Sequence, residues 1–421
     1  MNPADPADFV SPSYRHIGES LVRELGKLMA DPEMVSLAGG YPGPELFDRE
    51  GLRAAADEAL REMPVAALQY GPTDGLPGLR EQVARLLGAR GTRCSAGDVL
   101  MTGGSQQGFD LLVRTLLRAG DAAVVERPTY TGPLRVLKVA GVRTLTVGVD
   151  AQGLDVDELG SMLRDPATPR PKLLYVVPTF ANPSGATMTR ARRLKLLALA
   201  VEHRFVVVED DPYGQLRFEG GHEPQLAGLV DEVPGSRPWV VHLGSFSKIV
   251  APGLRLGYAV APPPIRAACL LAKQLDDISS PGFTQATVQR YVAAGRLEAH
   301  LPTIVAAYRE RADAMREAIA AHLAGRVAFN LPQGGMFMWG RLVDGADTRA
   351  LLPFAIERKV TFVPGDIYYA DRPDGASMRL SFATPSPAQI REGIARIGRA
   401  IERMREPGAT PPPWPTPAGP R

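Results

Sequence analysis

The stretch "GSFSKIVAPGLRLGY", residues 244–258, sets Ser245, Ser247, Lys248 and Arg255 among apolar neighbours, directly behind the apolar run "WVVHL" (239–243). Hydroxyls and cations in such surroundings cost several kcal/mol each if left unpaired, so the segment calls for an anionic, carbonyl-bearing partner. A lysine at a strand end has its amine pKa depressed by desolvation, and a neutral amine adds to a carbonyl as a Schiff base. An ordinary surface lysine is the competing reading. Arg255, behind the Pro252-Gly253 turn, and the two serines offer a guanidinium fork and hydroxyl donors of the kind that hold a phosphate.

Four other apolar runs end the same way. "VLMT" (99–102) leads into "GGSQQG", "AAVVE" (122–126) into "RPTY", "LLYVVPTF" (173–180) into "ANPSG", and "FVVVE" (205–209) into "DDPYG". In open parallel sheets ligands bind beyond the carboxyl ends of the strands, so five such runs predict one shared pocket. Gly103, Gly104, Ser105 and Gln106 form a glycine turn opening a helical pattern, where backbone N–H groups converge on an anion. Neither GxGxxG nor GxxxxGK[ST] surrounds it, so no dinucleotide or ATP fingerprint is present. An aldehyde and a phosphate on one ligand point to pyridoxal 5'-phosphate, and Asp210 then has a role, as the carboxylate facing the pyridine nitrogen.

The chain has 421 residues, 45% of them hydrophobic, enough for a large core and two or three domains. Lys and Arg number 48 against 46 Asp and Glu, a net charge of +2 that makes no case for a nucleic-acid or membrane partner. Cys94 and Cys269 lack metal-ligand spacing, so no metal is expected and a reducing cytoplasm is the expected setting. The start "MNPADPADFVSPSYRH" has neither the basic nor the apolar region of a signal peptide. Apolar runs alternating with helical patterns over 98–260 predict an α/β layer with a mostly parallel sheet. "GGMFMWGRL" (334–342) and "MRLSFA" (378–383) predict strands of a smaller α+β domain. The expected division is an N-terminal arm (1–45), a large cofactor-binding domain (46–300), a small C-terminal domain that includes the arm (301–404), and a disordered proline-rich tail (405–421).

"SLAGGYPGPELF", "ALQYGPTDGLPGLR", "TGGSQQ", "NPSG", "EDDPYG", "GSFSKIVAPGLRLGY" and "MRLSFA" stand in one order that resembles the class I and II aminotransferases of pyridoxal-phosphate fold type I. The likeness runs from about residue 20 to 400 and is strongest to the 2-aminoadipate and kynurenine aminotransferase-like branch. The resemblance implies a large domain with a mostly parallel seven-stranded sheet between helices. It makes Lys248 the lysine that carries the cofactor and moves the substrate proton, and Asp210 the partner of the ring nitrogen. Tyr213 and Asn182 would bond the cofactor's phenolic oxygen. Ser105, Gln106, Ser245, Ser247 and Arg255 would form the phosphate cup, and Tyr130 would stack on the ring. Arg379 matches the arginine that grips the substrate α-carboxylate, which Asn182 can also touch, and Gly40 leaves room beside the substrate. Tyr70 resembles a tyrosine that reaches the neighbouring subunit's phosphate site, which implies a homodimer. Arg23, in "SLVREL", occupies the place of a helix arginine that contacts the substrate side chain; a plain surface arginine is its competing reading. Ala181 departs from the branch, which has a polar residue there.

The implied activity is transfer of the amino group of 2-aminoadipate, glutamate, an aromatic or a branched-chain amino acid to a 2-oxo acid such as 2-oxoglutarate, in ping-pong half-reactions. An oxidase, lyase or cyclase would share the same cofactor residues, and the choice between them rests on pocket shape. A ligand-sensing transcription regulator is the third reading; with 35 residues before Ser36 and no DNA-binding module among them, it is expected only of a truncated chain.

Overall fold

The computed structural model describes residues 5–15 and 17–413. After β1 (Val35–Ser36), the strands β2 (Val99–Thr102), β3 (Ala122–Arg127), β4 (Arg143–Asp150), β5 (Gly153–Leu154), β6 (Pro171–Val176), β7 (Val206–Asp210), β8 (Val240–Ser245) and β9 (Gly257–Val260) build a central sheet. Their order is β2-β9-β8-β7-β6-β3-β4-β5. The run from β8 to β4 is parallel. β9 lies antiparallel to both β8 and β2, so β2 points the same way as the parallel set. The carboxyl ends of β2, β3, β6, β7 and β8 therefore share one rim, and these are the five apolar runs of the sequence. β9 starts at that rim, with Gly257 opposite both Thr102 and Ser245.

The sheet has eight strands where seven were expected. Gly153, at φ +86°, turns the chain back so that Gly153 and Leu154 pair with Asp150 and Val149 as a short antiparallel addition. The central strands are apolar on both faces because side chains alternate sides and helices cover each side. Val124, Leu174 and Val207 face the helices Val156–Arg164 and Arg190–His203. Val125, Tyr175 and Val208 face a larger core that takes in the helices Ser105–Leu116 and Gly282–Ala293.

A second layer follows in sequence. β10 (Val327–Phe329), β11 (Phe337–Leu342), β13 (Val363–Pro364) and β14 (Ser377–Ser381) make an antiparallel sheet in the order β10-β11-β14-β13. β12 (Val360–Thr361) pairs in parallel with β1, which binds the N-terminal segment to this layer. The helix Pro387–Met404 closes it. Its Ser386 capping box fixes the start, and Ile390, Ile394, Ile397 and Ile401 bury one stripe.

The boundary expected at 300/301 falls inside the helix Arg296–His322, so the layers are joined by a continuous helix and not by a linker. Part of the expected disordered tail is seated as well. Arg405 pairs with Asp344 and Ala409 packs on the core, while 414–421 lie outside the described residues. Among the described residues no helix is long and apolar enough to cross a membrane.

The rim is tightest where β9 starts. A Cβ on Gly257 would stand 2.7 Å from the Gly244 carbonyl oxygen and 2.8 Å from the Gly104 Cα, both backbone atoms that cannot yield as a side chain would. Gly257→Ala is expected to lose about 1–3 kcal/mol of stability, by the overpacking cost of close-packed interiors. Chemical denaturation of the variant checks this, and an unchanged midpoint would contradict it.

Candidate active site

One cleft of about 340 Å³ lies over the rim, between the central sheet and β14. Of the residues assigned to the site from the sequence, all line it except Gly103 and Tyr70. Tyr70 is 80% exposed on the surface of its own chain, so it is neither part of the core nor of this cleft.

The floor comes from the strand ends. Beyond β8, the chain turns so that Lys248 Nζ donates to the Gly40 carbonyl oxygen at 2.9 Å. Burial lowers the Lys248 pKa to about 8, and the Arg379 and Arg255 charges push the same way. Ser245 Oγ accepts from the Ser247 backbone N–H at 3.1 Å, which holds the Ser245 hydroxyl against this turn. Arg255 sits in the left-handed region at φ +46°, a conformation non-glycine residues avoid and one that directs its side chain back over the rim. There it donates to Gly103 O at 3.1 Å. Gly104, at φ +94°, is held bare by the same side chain, since a Cβ there would meet Arg255 Nη2 at 2.8 Å. Gly104 opens the helix Ser105–Leu116, whose first residues, Ser105 and Gln106, line the cleft at the end where a helix leaves its N–H groups unpaired.

Asp210 ends β7 and is buried. Its Oδ2 accepts from the Tyr175 hydroxyl at 2.7 Å, whereas its Oδ1 is buried without a partner. Burial raises the Asp210 pKa to about 6, opposed by the hydroxyls of Tyr175 and Ser105. The adjacent Asp211 anchors this turn instead. It accepts from Arg90 at 2.7 Å, from Gln225 at 2.7 Å and from the Gly214 N–H at 3.0 Å. Burial alone would raise its pKa, but the Arg90 charge leads the groups that bring it below the usual carboxylate range. Tyr213, on the same turn, stands edge-on to Phe337 and against the Asn182 side chain, and burial keeps its phenol protonated.

The opposite wall is Arg379 of β14. It donates from Nη1 to Asn182 Oδ1 at 2.8 Å and from Nη2 to Ala38 O at 2.6 Å, while Nε has no partner. The rings of Phe337 and Tyr368 lie 4.3 and 5.2 Å from its guanidinium carbon. Gly40 faces this wall. The space its Cβ would take is held by the Phe337 ring at 2.8 Å, so its small size serves packing against Phe337 as well as room in the cleft. Tyr130 and Gln106 meet over Gly132, where a Cβ would strike both. Arg23 lines the mouth from the helix Leu21–Lys27, next to Ser20 and Val22. Ala181, the departure from the branch, is buried and joins the turn by backbone bonds with Ala186 and Gly185.

Tyr175, Phe337 and Tyr368 line the cleft without having been singled out from the sequence. Tyr175 was detectable as the one phenol in "LLYVVPTF"; the other two sit in strands and turns of the second layer, where nothing local marks them.

A pyridoxal 5'-phosphate molecule fits these groups. Asp210 Oδ1 is a buried acceptor in want of a donor, the glycine turn and Arg255 make a cradle for an anion, and Lys248 is an amine poised to lose its proton.

Comparison with known proteins agrees with the geometry. The family described as aminotransferase class I and II matches residues 38–397. The 2-aminoadipate transaminase of Thermus thermophilus is 38% identical, with 96% of this chain and 99% of that protein covered. An aromatic-amino-acid aminotransferase of Thermococcus litoralis is 38% identical over 92% of this chain and 93% of its own length. Among solved structures, the α-aminoadipate aminotransferase of Thermus thermophilus complexed with N-(5'-phosphopyridoxyl)-L-leucine superposes with a TM-score of 0.88 at 37% identity, covering 95% of this chain and 99% of that one.

The lowered pKa of Lys248 has a kinetic signature. Below about pH 8 the amine is protonated and inert, so the rate at which cofactor-free protein captures pyridoxal 5'-phosphate should rise with pH and level off above that point. Stopped-flow absorbance with borohydride trapping reads the rate, and Lys248→Ala should trap nothing. A rate still climbing steeply near the ordinary lysine pKa would contradict the assignment.

Proposed function

Since the chain belongs to the class I and II aminotransferases, with pyridoxal 5'-phosphate as cofactor and amino-group transfer as reaction, we propose that its donor is 2-aminoadipate, glutamate, or an aromatic or branched-chain amino acid and its acceptor a 2-oxo acid such as 2-oxoglutarate. The observation that carries this reading is the facing pair in the cleft, a lysine amine brought down to about pH 8 and, across from it, an arginine with a partnerless Nε. The cofactor, when bound, supplies an electron sink for the pair of electrons left when the substrate α-carbon loses its proton.

The chain's residues supply the rest. Lys248 holds the cofactor and then takes the α-proton and returns it. Asp210 Oδ1, a buried acceptor, would meet the ring nitrogen, and Tyr213 with Asn182 would support the ring's phenolic oxygen. The N-terminus of Ser105–Leu116, Gln106, Ser245, Ser247 and Arg255 grip the phosphate. Tyr130, which lines the cleft, would stack on the ring. Arg379 binds the α-carboxylate, for which its planar donors, held between Phe337 and Tyr368, are preorganised. Arg23 at the mouth pairs with a distal carboxylate and turns outward for apolar side chains, which gives one cleft two donor classes.

The working form is a homodimer. Val65, Leu68, Tyr70 and Leu275 are each 73–90% exposed, an apolar surface of the kind that a second copy covers. Tyr70 of each copy then completes the phosphate site of the other. Free thiols at Cys94 and Cys269 suit a cytoplasmic setting. The oxidase, lyase, cyclase and regulator readings are not favoured by the aminotransferases that match at 38% identity.

A panel of amino donors against 2-oxoglutarate and pyruvate is the direct test; no transamination with any donor would overturn the proposal. Arg23→Ala should lower kcat/KM for glutamate and 2-aminoadipate about 10–100-fold more than for leucine or phenylalanine, the loss of one charge-assisted pair. Equal losses would make Arg23 structural. Sedimentation should give a dimer, and a monomer with full activity on dilution would contradict the shared site.

A further inference from the structure

Asp210 is a buried charge of the cleft, and Tyr175 is what holds it. The two meet at 2.7 Å, both buried, with the phenol donating to Oδ2. Tyr175 cannot swing away. Its backbone is registered between Val125 of β3 and Val208 of β7, and its ring stands edge-on to Phe109 with centroids 4.9 Å apart. Phe109 belongs to the helix whose N-terminus faces the phosphate end of the cleft. One oxygen of Asp210 is thus engaged from the sheet side, and the other, Oδ1, is the free acceptor.

We propose that Tyr175 is a positioning residue for the cofactor: by occupying Oδ2 it turns Oδ1 toward the ring nitrogen and keeps Asp210 charged, so that the nitrogen is held protonated. This rests on the reading of Asp210 as the ring-nitrogen partner. The remaining groups facing Asp210 act in both directions, with the Tyr175 hydroxyl the leading one that favours its charged form. Ser105 offers a second hydroxyl, His242 favours the charged carboxylate from β8, and Asp211 opposes it. Tyr130 and Tyr213 feel its charge across the cleft, and Glu126 of β3 lies near Tyr175. Burial presses Asp210 toward its neutral form, up to about 6 with the Tyr175 bond in place. Removing that bond raises it further, so less of the carboxylate stays charged at neutral pH.

Tyr175→Phe removes the hydroxyl and keeps the ring. In cofactor-free protein labelled with carboxyl-13C aspartate, with the Asp210 signal assigned by its loss in Asp210→Asn, the titration midpoint should move up by about one pH unit or more, a tenfold change in proton affinity. In the loaded protein, the dissociation constant for pyridoxal 5'-phosphate should rise about tenfold and kcat should fall more than KM changes. Phe109→Leu, which loosens the ring but leaves the hydroxyl, separates positioning from packing and should leave the midpoint in place. The proposal is overturned if Tyr175→Phe leaves both midpoint and dissociation constant unchanged, or if Phe109→Leu moves the midpoint as far. Failure of the wild-type protein to bind pyridoxal 5'-phosphate would sink the assignment of Asp210, while the aspartate midpoints would still decide whether the phenol holds it.

Discussion

The guanidinium of Arg379 ties together three stretches of chain that lie far apart in sequence. It reaches from β14 to Asn182 in the turn beyond β6 and to Ala38 on the N-terminal segment, and both bonds are buried. Because a guanidinium is planar and permanently charged, its donors leave in fixed directions, so the two layers and the segment share one relative placement at this point. Gly40 follows Ala38 by two residues and accepts from Lys248. The reactive amine is therefore referenced, through one short piece of backbone, to the group that meets the substrate's carboxylate.

The central sheet supplies the other half of the geometry. Strands buried on both faces are mostly apolar until they emerge, so chemistry collects where they end. Five ends share a rim because β9 runs backward between β2 and β8 and brings β2 into line with the parallel set. The rim is then crowded, and the chain meets the crowding with glycine at 104 and 257 and with Arg255 in a backbone conformation of the kind that clusters at functional sites.

That rim was legible from sequence because each apolar run is followed at once by turn-forming polar residues, a local signal that survives without any knowledge of the fold. Lys248, Asp210, Asn182, Ser105 and Tyr130 could be grouped on that basis, and they share one cleft. Contacts made across the molecule leave no such mark. Nothing near Tyr175 announces that its hydroxyl meets a carboxylate 35 residues away, and nothing near Phe337 announces that it fills the space beside Gly40. The two-residue β5 escaped because it has no periodicity to read. The helix Arg296–His322 concealed the division of the chain because a continuous helix carries no linker composition. Tyr70 shows the reverse case: the resemblance assigns it to a neighbouring subunit, and on its own chain it is exposed, with no contact in this cleft.

Asp210 Oδ1 and Arg379 Nε are buried without partners, and in the unfolded chain water would serve both. The bare fold therefore carries their desolvation cost, and a ligand that meets them lightens it. Anything that binds the folded chain and not the unfolded one enters the folding equilibrium by mass action, as RT ln(1 + [L]/Kd). The quantity of intact protein then follows the supply of cofactor. Substitutions far from the cleft become conditional on it as well, harmless when cofactor is abundant and damaging when it is scarce.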